Sequence, residues 1–179
     1  PRQSLFLETL RRDVLPNSPG MAALCDSSLT GNRLAGVVNQ FCILFNQVHP
    51  FDKGWQKADV PHAEELRRSW DQRFPLAFIL TKMDLLKGRE IRLSKAGCAY
   101  WQYIQNHSLS PAKAGMTFPD DNTVIYRIRT NALLDEKGHP DSEEAHAIAE
   151  DYVNCCMPAL ADLIARMRHS RFYDVKVFG

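Results

Sequence analysis

No apolar run in this chain approaches the roughly 18–20 residues that cross a bilayer, and the amino-terminal stretch lacks the basic, apolar and small-residue succession of a secretory leader. A surplus of either charge is missing too. The 22 Lys and Arg stand against 21 Asp and Glu, a net charge of +1, with no basic tract. No strong field therefore directs the chain to nucleic acid or to an anionic membrane. Cys-x-x-Cys spacing is absent. The five cysteines, Cys25, Cys42, Cys98, Cys155 and Cys156, are odd in number and scattered, and read as reduced core thiols rather than a disulfide framework. The histidines form no His-x-x-x-His pair, so no metal site is assigned, and no Gly-x-Ser-x-Gly elbow nominates a hydrolase serine. These absences predict a soluble, cytoplasmic protein with no membrane span and no nucleic-acid partner. At 179 residues the chain suits one domain that buries roughly 70% of its unfolded surface.

What is present centres on Phe74-Pro75-Leu76-Ala77-Phe78-Ile79-Leu80-Thr81-Lys82-Met83-Asp84. Five apolar residues from Leu76 to Leu80 are too few for an ordinary helix and predict a strand covered on both faces. The polar group that follows at once would stand past the carboxyl end of that strand, where open parallel α/β sheets bind ligands.

An apolar strand running into Thr81-Lys82-x-Asp84 resembles the guanine-recognition motif of P-loop GTPases of the Ras-like and translation-factor class. The resemblance implies that Asp84, an acceptor-only carboxylate, takes the two adjacent donors of guanine's Watson-Crick edge. Adenine lacks that pair of donors, which gives the selectivity. It implies further that the Lys82 stem covers the base while its ammonium stays hydrated, and that Thr81 braces the loop. The likeness covers at best residues 74–86 and 158–179, the base-recognition half. No Gly-Lys-Ser or Gly-Lys-Thr follows a four-residue gap after glycine anywhere, so the phosphate-binding loop is not in this chain. GTP or GDP with Mg²⁺, and hydrolysis as a switch, would then require phosphate-binding elements from elsewhere, the chain being a fragment or incomplete part of a larger GTPase-like protein; no catalytic residue is assigned. The tract from Met83 to the last strand reads as an insertion with its own strand, a pattern that resembles the double-GTPase proteins of bacterial conflict systems. A protein partner is expected. The alternative is a catalytically silent α/β interaction or scaffold module. A third reading, a mostly helical partner-binding domain with Thr81 to Asp84 as an ordinary turn, would be favoured by a helical Leu76 to Leu80.

The expected fold is α/β, helix-rich and with insertions: a partial three-layer parallel sheet flanked by helices. Apolar spacing predicts helices over 4–15, 32–48 and 63–72. A further helix capped by Ser94 is expected to carry Ala96 to Ile104, and one opened by an Asp141/Glu144 capping box to break or restart at Pro158. Strands are predicted at 123–130 and 171–178, the latter with Phe172, Val175 and Val177 inward. The loop touching the guanine oxygen is placed just after the last strand, or alternatively at Asn131-Ala132-Leu133.

Overall fold

A computed structural model describes residues 20–48, 73–129, 142–170 and 172–179. The helices expected over 4–15 and 63–72, the Asp141 cap and the Asn131 loop lie outside the described residues. The fold is mixed α/β, with a parallel three-stranded sheet flanked by helices. Its elements in chain order are β1 (Met21–Asp26), α1 (Gly31–Val48), β2 (Phe74–Thr81), β3 (Glu90–Ser94), α2 (Ala99–Asn106), β4 (Thr123–Arg127), α3 (Ser142–Cys156), α4 (Pro158–His169) and β5 (Tyr173–Phe178). The parallel sheet has the order β1-β2-β5, and β3 and β4 form a separate two-stranded sheet. The chain divides into two compact units. The first contains the beginnings of the three parallel strands with α1 and nearly all of α4; the second contains their carboxyl ends and residues 79–158.

In the first unit an aromatic cluster sits between α1 and the strands. Phe45, Phe78 and Tyr173 are fully buried. The Phe45 ring meets Phe78 at 6.1 Å and Tyr173 at 5.9 Å, both edge-on, the geometry favoured by ring quadrupoles. The Tyr173 hydroxyl donates to the Phe45 carbonyl at 3.0 Å, so its polar end is satisfied inside the core. Gly20 closes on the second residue of β2: a Cβ there would stand 2.9 Å from the Pro75 carbonyl oxygen. On α1, Leu34, Val38 and Phe45 are buried, while Phe41, Cys42, Ile43 and Leu44 are half-buried.

The organising strand is extended, as the run Leu76 to Leu80 predicts, which removes the helical reading. It is not covered equally on both faces. Phe74, Leu76, Phe78 and Leu80 are buried, whereas Ala77, Ile79 and Thr81 are half-buried. The alternation shows that one face of β2 is packed more fully than the other.

In the second unit β3 pairs antiparallel with β4, Ile91 opposite Tyr126 and Leu93 opposite Val124. The expected strand at 123–130 is thus present over a shorter span, and β3 is a strand the sequence pattern did not announce. Ser94 caps only a short turn, Lys95–Gly97. The helix proper starts at Ala99, where the Cys98 sulfur accepts from the Trp101 amide at 3.3 Å. At Pro158 the helix restarts rather than continues, as expected of a ring that cannot donate but suits the first position of a helix. Tyr173, not Phe172, is the first inward residue of β5; Phe172 precedes the strand and is half-buried.

Candidate functional site

The carboxyl ends of β1, β2 and β5 belong to the second unit. Strand β2 ends at Thr81, and Lys82 takes the left-handed conformation, φ 62° and ψ 30°, which reverses the chain sharply. One short helical turn, Met83–Leu86, follows. The Leu85 amide closes it on the Lys82 carbonyl at 3.1 Å, and buried Leu86 anchors it. Asp84 lies on this turn, exposed, and its carboxylate makes no hydrogen bond or ion pair among the described residues. At the end of β5, a Cβ on Gly179 would stand 3.1 Å from Ala149 and 3.3 Å from the Met83 side chain, so the terminal residue and the motif are neighbours.

Thr81 is tied to the end of β1 twice. Its carbonyl accepts from the Ser27 amide at 3.1 Å and its hydroxyl donates to the Cys25 carbonyl at 3.5 Å. Lys82 is tied there too: its ammonium pairs with Asp26 Oδ2 at 2.5 Å, with the lysine side chain 54% exposed. The second carboxylate oxygen of Asp26 accepts from the Ser28 amide at 2.9 Å and the Ser28 hydroxyl at 2.6 Å. The bond from Lys82, then those from Ser28, hold the Asp26 carboxyl well below its ordinary range, at about 2. Asp26 was not singled out from the sequence. The only cue was a short apolar run, Met21 to Cys25, ending in Asp-Ser-Ser. Next to it, Ser27 is fully buried and its hydroxyl has no hydrogen-bond partner among the described residues, while its carbonyl accepts from the Tyr152 hydroxyl at 2.7 Å.

A second polar cluster lies deeper. Asp151, fully buried on α3, accepts from Cys98 Sγ at 3.1 Å, the Ala99 amide at 2.6 Å, the Tyr100 amide at 3.1 Å and the Tyr126 hydroxyl at 2.9 Å. It therefore caps α2 from a different helix. Burial pushes its carboxyl pKa up, against the pull of those donors. Glu144, one face-repeat earlier on α3, accepts from the Tyr100 hydroxyl at 2.6 Å. Tyr100, Tyr126 and Glu144, with Arg129 and Ile148, line a small pocket; neither Lys82 nor Asp84 borders it. Burial raises the Cys98 thiol to about 12 and the Cys25 thiol to about 11, so both remain protonated at neutral pH and neither is a ready nucleophile or metal ligand.

All five cysteines are free thiols. Among the described residues no three His, Cys, Asp or Glu side chains are grouped so as to hold a metal ion, and no helix is long and apolar enough to cross a membrane. His146 turns its Nδ1 to the Val177 carbonyl. Tyr100 stacks on Tyr103 at 6.1 Å and Trp101 meets Phe118 edge-on at 5.2 Å. No protein-family model, curated protein or solved structure matches the chain.

Proposed function

We propose that the chain carries the base-recognition half of a GTPase-like nucleotide site, with Asp84 reading guanine, Lys82 covering the base and Thr81 bracing the loop. The observation that carries this reading is positional. Thr81-Lys82-Met83-Asp84 follows the carboxyl end of the middle strand of a parallel sheet, and the Asp84 carboxylate is exposed and unengaged. A free carboxylate can accept both donors of a guanine edge, and the two bonds from Thr81 to the end of β1 suit a brace. GTP or GDP would bring Mg²⁺ with its phosphates, yet this sequence contains no phosphate loop to hold them. Action as a GTP-hydrolysing switch, with a protein partner and in the cytoplasm, therefore depends on phosphate-binding elements outside these residues.

A second reading, a silent interaction or scaffold module, is favoured by one observation: the Lys82 ammonium is already paired with Asp26. Calorimetry separates the two. GTP and ATP are titrated into the chain, into any longer parent that contains it, and into the Asp84→Ala variant of each. The nucleotide reading expects GTP to bind more tightly than ATP and the difference to vanish in the variant. Equal binding of both nucleotides, or none even in the parent, leaves the scaffold reading.

A further inference from the structure

We propose that Asp26 is a positioning residue of the base site, holding the Lys82 ammonium toward the end of β1 so that the Asp84 carboxylate stays free to accept from guanine. This rests on the nucleotide reading of Thr81 to Asp84. Lys82 and Asp84 are two residues apart on an exposed turn, where a flexible ammonium and a carboxylate attract one another. A lysine that paired with Asp84 would occupy the acceptors that guanine needs. Instead the ammonium lies 2.5 Å from Asp26, across the gap between two strand ends and 56 positions away in sequence.

Asp26 is built for that task. Its Oδ1 is engaged by both donors of Ser28, at 2.9 and 2.6 Å, which leaves Oδ2 directed at Lys82. Asp26 is the last residue of β1, and the next residue, Ser27, donates its amide to the Thr81 carbonyl, so the carboxylate is fixed relative to the motif it serves. The left-handed backbone at Lys82 sets the opposite end of the stem. A partly exposed ion pair of this kind adds little to stability. Its consequence is electrostatic: the lysine is compensated by one aspartate and the second aspartate remains uncompensated.

The test is a double-mutant cycle in GTP affinity, measured by calorimetry on the chain and any longer parent, with Asp26→Asn, Lys82→Met and the combination. Asn keeps the acceptor used by Ser28 and abolishes the ion pair. The expected result is a loss of about fivefold in GTP affinity for Asp26→Asn, with ATP binding unchanged and no further loss when Lys82 is already Met. Ser28→Ala, which lets the carboxylate swing, should shift GTP affinity in the same direction by less, and provides the readout if Asp26→Asn does not fold. A loss of equal size in the Lys82→Met background would show a merely structural role and overturn the proposal, as would unaltered GTP affinity in both Asp26→Asn and Ser28→Ala. Asp84→Ala separates the two levels. If it abolishes guanine preference while Asp26→Asn does nothing, the positioning role alone falls; if it leaves preference unchanged, or no nucleotide binds, both fall.

Discussion

Two aspartates near the ends of adjacent strands have opposite surroundings. Asp84 has no partner among the described residues, whereas Asp26 has three donors on its two oxygens. The second case gives a direct titration. Asp26 is lowered from an ordinary value of 3.8 to about 2, so its interactions contribute fully above the unfolded value and are lost as pH falls through about 2. Carbon-detected carboxyl NMR should place its midpoint near 2, and Lys82→Met should move it upward; a midpoint at the ordinary value, unchanged by the substitution, would contradict the ion pair. Thr81, Lys82 and Asp84 stood out as candidates in the sequence because an apolar run ended on them, and the structure places them at the end of β2. Asp26 did not stand out, because its role comes from a neighbour 56 positions away that only the sheet brings near. The same limit explains β5: with two aromatics in succession, Phe172 and Tyr173, the sequence does not fix which faces in, and the hydroxyl bond from Tyr173 to Phe45 accompanies the buried choice.

Among the elements, the strongly patterned ones were readable. β2, the region of α1, the restart at Pro158 and the location of β5 all followed from runs, periodicity or proline chemistry. β1 and β3 were not. β1 is Met-Ala-Ala-Leu-Cys-Asp, whose small residues have little intrinsic preference for a strand, and β3 has only Ile91 and Leu93 between polar residues. Pairing decides both: β1 lies beside β2, and β3 is in register with β4 from Glu90–Arg127 to Ser94–Thr123. The polar contacts of α3 were missed for a different reason. Charges on a helix are ordinarily solvated, yet Glu144 and Asp151 are seven residues apart, on the same face as Ile148 and Tyr152, and that spacing was the available cue. Asp151 ties α3 to the start of α2 and to β4 through four donors. Asp151→Asn, which sets an amide against two backbone amides, should lower unfolding stability by about 1–3 kcal/mol in urea denaturation, with α2 the first region to lose hydrogen-exchange protection. An unchanged midpoint would mean that the cap is dispensable.

At the scale of the molecule, near-neutral charge and a parallel sheet define where chemistry is possible without naming it. Parallel strands bring their carboxyl ends to one edge, and here those ends present the Asp26 turn, the Thr81 to Asp84 motif and Gly179. The sequence made the motif visible; the strand order adds that it follows the middle strand rather than an edge. Guanine recognition at that edge, as proposed, would make a demand on one atom pair that no scaffold role shares. Asn at position 84 presents an acceptor and a donor where Asp presents two acceptors, which matches the ring NH and two-position carbonyl of xanthine instead of guanine's two donors. The most direct measurement is the relative affinity of Asp84→Asn for GTP and for the xanthine triphosphate, beside the unsubstituted chain and any longer parent. The expected result is reversal, with the unsubstituted protein favouring GTP and the variant favouring xanthine; an unaltered order of affinities would contradict the assignment of Asp84 as the residue that reads the base.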